Sequence, residues 1–226
     1  MKFSNTTVVI AALEEETGIK PTLIELQNIL KESSILVADG GSKDKTVEIA
    51  QTLGATTFIQ KGKGKGNAIR QSLERVNINS CYVVFTDADY TYSAEKLREM
   101  ILILDKNPDV GMVLGNRFNH KSTSEMLANP FFLGNRLIAL VHWILNGVIL
   151  SDPLTGLRIV RYSLLKDWSP KSKGFDIEVE LNCYVKNSHY QIVEVPVKYR
   201  PRLGKKKLGF RHALTILKRI IEENKI

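Results

Sequence analysis

Short uninterrupted apolar runs alternate along this chain with longer stretches whose apolar residues recur every three or four positions. Val8 to Leu13, Ile35 to Ala38, Thr57 to Ile59, Val83 to Phe85 and Val110 to Leu114 are the runs. All read as strands, and Val8 to Leu13 and Val83 to Phe85 as buried ones, where no polar alternation is needed. Between them the spacing predicts helices. One starts at Pro21 and carries Leu23, Ile24, Leu26, Ile29 and Leu30 on one face. Another begins near Thr46, capped by Asp44 or Ser42, and closes at Gly54. Two more cover Asn67 to Val76 and Ala94 to about Asp105. This repeated strand–helix order predicts an α/β fold, with a mostly parallel central sheet and helices on both faces.

The second half is less regular. A strand is expected around Ile159 and Val160, and a helix after Gly174 with Asp176 as its cap. A strand from Ile192 to Tyr199 follows, whose Pro196 marks an edge position or a bulge. The final helix sets Leu208, Phe210, Leu214, Leu217, Ile220 and Ile221 on its apolar side. Pro130 to Leu150 is the most apolar stretch, but Asn135, Arg136, His142 and Asn146 interrupt it. A spanning helix needs about 20 mostly apolar residues, so this one is expected either to be buried in the core or to lie in a membrane interface.

At 226 residues, with 43% hydrophobic and 25% charged residues, the chain reads as one soluble domain, 1–226. The net charge of +8 is localised: ten of the 32 Lys and Arg, but two of the 24 acids, lie from Lys198 onward. The remaining 22 bases and 22 acids cancel. A basic, amphipathic segment at about 198–226 points to a localised anionic partner rather than a nucleic-acid coat. Cys81 and Cys183 lie far apart without metal-ligand spacing and read as thiols of a reducing compartment. Met1 to Thr7 is polar and runs straight into a strand, so no secretory signal is expected.

Candidate chemistry gathers where strands end. Val83-Val84-Phe85 runs into Thr86-Asp87-Ala88-Asp89, placing two carboxylates at the carboxyl edge of a sheet, where ligands of such folds bind. Carboxylates this close repel unless a cation joins them. Oxygen donors suit Mg²⁺ or Mn²⁺, with substrate phosphates completing the shell; the alternative is an Asp-rich turn capping the next helix. Lys61-Gly62-Lys63-Gly64-Lys65-Gly66 lacks the spacing of a Walker A loop. It is either a phosphate cradle at a helix N-terminus or a solvated turn.

Taken in order, these pieces resemble family 2 glycosyltransferases of the GT-A fold, and among them the dolichyl- or polyprenyl-phosphate hexose synthases. The resemblance runs from Thr7 to about Ala213. It is carried by Val8 through Glu16, Asp39-Gly40-Gly41-Ser42, Gly64-Lys65-Gly66-Asn67-Ala68 and Asp87-Ala88-Asp89. Gly115-Asn116-Arg117, Asp152 through Arg158, Gly174 through Glu180 and the tail with Arg202, Gly204 and Lys207 complete it.

The resemblance implies a Rossmann-like sheet and a C-terminal amphipathic helix. It implies a nucleotide-sugar donor held by Ala12, Glu14, Glu15, Asp39, Lys65, Asp87 and Ala88, with Asp89 as metal ligand. Asp87, Asp89 and Arg117 would then be catalytic, and Arg117, Arg202 and Lys207 would bind the diphosphate or the acceptor phosphate. Three departures stand out. Ala11 and Glu14 replace the usual Pro and Asn, Thr91 replaces a metal-binding Gln, and Lys206 replaces a Ser. The expected reaction is metal-dependent, inverting transfer of a hexose from GDP-mannose or UDP-glucose to a polyprenyl phosphate. It would take place in the cytoplasm, at the membrane's cytoplasmic face, with peripheral contact and no nucleic-acid partner. The alternatives are a soluble or polysaccharide acceptor, or a non-catalytic binder.

Overall fold

The structure, a computed structural model, describes residues 5–118, 130–205, 207 and 209–224. Expectations for Lys206, Leu208 and the Phe210 side chain lie outside the described residues. Seven strands form one sheet in the order β3-β2-β1-β4-β6-β5-β7. They are β1 (Thr6–Ala12), β2 (Ser34–Asp39), β3 (Thr56–Ile59), β4 (Tyr82–Asp87), β5 (Val110–Asn116), β6 (Arg158–Arg161) and β7 (Gln191–Pro196). β1, β2, β3 and β4 pair in parallel, and so do β5 and β7. β6 runs antiparallel between β4 and β5. The mostly parallel sheet of the sequence reading is present, with one reversed strand.

Alternate residues of each strand feed opposite faces. Val8, Ile10, Val37, Val84 and Ile159 pack with α1 (Glu16–Ile29) and α4 (Leu97–Lys106), where Leu23, Met100, Ile101 and Leu104 are fully buried. Truncating any of these four to Ala is expected to cost about 2–5 kcal/mol. Val9, Leu36, Val83, Phe85, Met112 and Val160 face the other layer, against Ile69 of α3 (Lys65–Leu73) and Leu181 of α7 (Ile177–Asn187). Short helices α2 (Thr46–Thr52) and α6 (Tyr162–Leu165) fill the connections. A smaller cluster of Ile138, Val179, Ile216 and Ile220 joins α5 (Pro130–Asn146), α7 and α8 (Phe210–Glu223).

Several local expectations need correction. α1 starts at Glu16, not Pro21. The Glu15 carbonyl accepts Gly18 N–H at 3.0 Å and Ile19 N–H at 2.8 Å, and Asp44 Oδ2 accepts Glu16 N–H at 3.1 Å. Pro21 sits in the second turn, where it withholds one backbone donor. Asp176 does not cap α7 through its side chain, whose Oδ1 instead accepts Gly174 N–H at 3.1 Å. On α8 the inward residues are Ile216 and Ile220, whereas Leu214 and Ile221 are 71% and 50% exposed. Pro196 does end an edge strand.

α5 is inside out. Its buried side chains are Asn135, Ile138, Ala139 and His142, spaced along one helical face, while Leu137, Leu140, Trp143 and Ile144 are exposed. The buried-core reading of this segment therefore holds for one face only. His142 Nδ1 pairs with Asn146 Oδ1 at 2.9 Å, and Asn146 Nδ2 donates to the Ile220 carbonyl at 3.0 Å. Burial pulls the His142 pKa down to about 4. Among the described residues no helix is long and apolar enough to cross a membrane.

Candidate active site

Strand order reverses between β1 and β4, since β2 and β3 lie on one side of β1 and β4 on the other. Such a switch point leaves a crevice beyond the strand ends. The register places Ala11 beside Asp87, so Ala12 and the Asp87–Asp89 turn emerge together. A cavity of about 390 Å³ opens there, within the range of small-molecule sites.

The two carboxylates of the Asp87–Asp89 turn face this cavity in different surroundings. Asp87 Oδ1 accepts from Lys65 Nζ at 2.7 Å. Burial pushes its carboxyl up, but the charge and hydrogen bond of Lys65, then Arg117 and Arg202, hold it below its ordinary value. Asp89 is 3% exposed. Its Oδ1 accepts Thr91 Oγ1 at 2.6 Å and Thr91 N–H at 3.1 Å, and its Oδ2 lies 2.8 Å from Arg202 Nη1. Burial, then the charge of Asp87, raises its pKa against the pull of Thr91 and Arg202. Thr91 thus supports the acid from behind.

Arg117, at the end of β5, is gripped by Asp152: Nε to Oδ2 is 2.7 Å and Nη2 to Oδ1 is 2.6 Å. Asp152 is fully buried, and Glu194 on β7 accepts both Ser151 N–H and Asp152 N–H at 2.8 Å. This chain of contacts aims a rigid guanidinium along the cavity wall. Gly156, in the same loop, is required by packing. A Cβ there would meet Asp87 Oδ2 at 2.5 Å. Tyr92 OH accepts Gly156 N–H at 2.7 Å and fixes the loop over the acids.

The tail closes the far side. Arg200 N–H donates to the Thr91 carbonyl at 2.8 Å and Leu203 N–H to the Asp89 carbonyl at 3.1 Å. This strapping carries Arg202 onto Glu15 and Asp89, and Lys207 onto Glu15. Burial raises the Glu15 pKa against the Lys207 and Arg202 contacts, and its Oε2 has no hydrogen-bond partner among the described residues.

Of the residues singled out from sequence, Ala12, Glu15, Lys65, Asp87, Ala88, Asp89, Arg117, Arg202 and Lys207 line this one cavity. Glu14 and Asp39 do not. Glu14 is exposed at the lip, with Oε1 accepting Lys43 N–H at 2.7 Å. Asp39 Oδ2 accepts Gly41 and Ser42 N–H, each at 2.8 Å, shaping the loop whose Gly40 reaches the cavity. Sequence reasoning gave no role to Tyr92, Asp152, Phe175, Glu178, Tyr199 or His212. Glu178 lies in the first turn of a helix, where the dipole alone would account for an acid, and the aromatic residues carry no spacing signal.

Among the described residues no three acids, histidines or cysteines converge to hold a metal by themselves. Asp89, with Asp87 beside it, nevertheless fits Mg²⁺ or Mn²⁺. The donors are all hard oxygens, both carboxylates border the cavity, and the buried Glu15 Oε2 nearby is an unfilled acceptor. A cation bound through one or two carboxylates takes the rest of its shell from substrate phosphates.

The sequence profile described as Glycosyl transferase family 2 matches residues 7–167. The chain is 34% identical over 170 residues, 75% of its length, to the glycosyltransferase AglJ of Haloferax volcanii, of which it covers 55%. It is 31% identical over 208 residues to a dolichyl-phosphate hexose transferase of the same organism, covering 91% of itself and 87% of that protein. The chain thus spans about half the length of the first relative and most of the second. A solved glucosyl-3-phosphoglycerate synthase from Mycobacterium tuberculosis, bound to Mn²⁺, UDP and glucosyl-3-phosphoglycerate, superposes with a TM-score of 0.76 at 19% identity. The match covers 98% of this chain and 80% of that one. At that identity the likeness is one of fold.

Proposed function

The chain belongs to glycosyltransferase family 2, and from that premise we propose that it moves a hexose from GDP-mannose, UDP-glucose or a related donor onto a polyprenyl phosphate. The observation that carries this reading is the meeting of acids and cations in one cavity: Asp87, Asp89 and Glu15 against Arg117, Arg202 and Lys207. Such a site suits a reaction that brings two phosphate anions together. The name of the Haloferax hexose transferase supports the choice of acceptor.

A divalent cation at Asp89 would supply charge stabilisation for the departing diphosphate. The remaining work falls to side chains. Asp87 and Lys65 form the wall beside the nucleotide, and Ala12, Ala88 and the Asp39 loop border its base and ribose. Arg117, fixed by Asp152, and the tail cations Arg202 and Lys207 screen donor and acceptor phosphates. An acceptor phosphate is already ionised near neutral pH, so its oxygen attacks the anomeric carbon without a strong base. The bond to the diphosphate breaks as the new C–O bond forms, and one displacement inverts the centre.

The exposed apolar residues of α5, with Leu214 and Ile221 of α8, adjoin the basic tail. This combination supports peripheral binding at the cytoplasmic membrane face, where the acceptor's lipid chain would lie.

Radiolabelled GDP-mannose and UDP-glucose are to be offered with dolichyl phosphate and Mn²⁺ or Mg²⁺. The expected result is an organic-extractable sugar lipid, lost on chelation and in Asp89→Ala. No sugar-lipid from either donor would overturn the proposal, and transfer to a water-soluble acceptor instead would establish the other reading.

A further inference from the structure

Glu178 is the second residue of α7 and 6% exposed. Its Oε1 lies 2.8 Å from Lys65 Nζ, the same ammonium that holds Asp87 Oδ1 at 2.7 Å. Its Oε2 is buried and accepts no hydrogen bond among the described residues. A buried carboxylate oxygen without a donor is uncommon in a folded protein and calls for a partner. Glu178 lines the 390 Å³ cavity, so the partner can be a ligand.

A water is the competing explanation. The small pocket behind Glu178 offers about 10 Å³ and is walled by Ile69, Phe85, Ile177 and Leu181, with Lys65 and Arg158 as its charged neighbours, both already bonded to protein oxygens. That volume is the lower limit for one water, and a water needs several polar neighbours. The main cavity is the roomier and more polar side. Lys65 also does more than neutralise. By taking one oxygen of Glu178 and one of Asp87, it locks both rotamers and leaves the second Glu178 oxygen fixed on a helix, as a recognition group should be.

We propose that Glu178 reads the sugar of the donor: its free carboxylate oxygen accepts a hydroxyl of the transferred hexose. This rests on the donor reading above, because the hexose hangs from the phosphate next to Asp87, and Glu178 is one lysine away from Asp87. The chemistry sets a substrate class. A carboxylate accepts and never donates, so it selects a neutral sugar with a free hydroxyl at that position. It turns away a sugar bearing its own carboxylate, since two carboxylates at contact repel.

Binding calorimetry separates this role from a structural one. GDP, UDP, their glucose or mannose conjugates, monodeoxy versions and UDP-glucuronate are titrated, with Mn²⁺, into the wild type and Glu178→Gln. Wild type is expected to bind the neutral hexose conjugate at least roughly tenfold tighter than UDP-glucuronate, and to lose roughly tenfold for one deoxy position. In Glu178→Gln the nucleoside diphosphate should bind within about threefold of wild type, while the deoxy penalty and the discrimination against the uronate both collapse. Equal weakening of nucleoside diphosphate and nucleotide sugar would show a structural role and overturn the proposal, as would no change at all. If the variant does not fold, the wild-type panel decides: a flat response across deoxy positions, or no preference over the uronate, refutes it. Failure of wild type to bind any nucleoside diphosphate would instead strike the donor reading.

Discussion

Arg200 forms a fork on Glu25, with Nη1 2.7 Å from Oε2 and Nη2 2.8 Å from Oε1, and Ala94 N–H adds a third bond at 3.0 Å. Burial pushes the Glu25 carboxyl up, but these bonds and the Arg200 charge outweigh it and hold it below its ordinary 4.5. A carboxyl lowered in the folded state stabilises above its unfolded pKa, and that contribution is lost as pH falls through the folded value. Glu25→Gln is therefore expected to cost about 1–2 kcal/mol at about pH 7. The gap from wild type should shrink as pH drops below about 4.5. Urea melts across this range test it, and a gap that stays constant into acid would contradict the assignment. At this scale the sequence showed which acids and bases could act, but not which were already paired. Asp87 and Asp89 stood out by their strand-end position, whereas Arg117 was singled out only through the family resemblance. Nothing in residue spacing could reveal that Asp152 holds Arg117 or that Lys65 joins Asp87 to Glu178, because these partners lie at least 22 residues apart.

α1 leans on the Asp87–Asp89 turn through Gly18. A Cβ at this position would stand 2.6 Å from the Ala88 carbonyl oxygen and 2.7 Å from Asp89 Cα. Both are backbone atoms, so Gly18→Ala must shift either the helix or the turn. We expect a loss of about 1–3 kcal/mol together with weaker Mn²⁺-dependent nucleotide binding, read from denaturation midpoints and ligand-induced thermal shifts. An unchanged midpoint would mean that the contact is slack. The central strands were legible because strands covered on both faces read as bare apolar runs. The start of α1 was not, since Pro21 gave a local signal that the Glu15 and Asp44 contacts overrode. α5 misled for a related reason: its apolar content suggested burial, whereas its polar residues Asn135 and His142 face inward.

Across the whole molecule, the basic segment packs beside the helix that exposes the most apolar surface. The C-terminal part from Lys198 carries the entire net +8. It includes α8, which packs on α5 and α7 through Ile138, Val179, Ile216 and Ile220. Leu137, Trp143 and Ile144 remain outside, at 58%, 52% and 66% exposure. Contiguous apolar surface of this kind marks an interaction site. Cosedimentation with vesicles rich in phosphatidylserine is expected to be strong at about 0.1 M salt. It should weaken toward about 1 M, where the Debye length contracts from ~10 Å to ~3 Å. Leu137→Glu combined with Ile144→Glu should abolish it while leaving the melting temperature within a few degrees, because both side chains are already in solvent. Absence of vesicle binding at low salt would remove the membrane from the proposed function, and binding that ignores these substitutions would move the contact off α5.

The order of apolar runs and helical stripes was enough to determine an α/β sheet, the strand that ends in Asp87 and Asp89, and the basic character of the tail. These are local properties, carried by neighbours in the chain. What only the tertiary structure decided is which charges meet. The tail's bonds to the carbonyls of Asp89 and Thr91 bring Arg202 onto acids more than a hundred residues away, and the reversal of strand order between β1 and β4 opens the cavity they share. Pairing across such distances depends on how layers pack and not on sequence period, so it emerges only once the chain has folded.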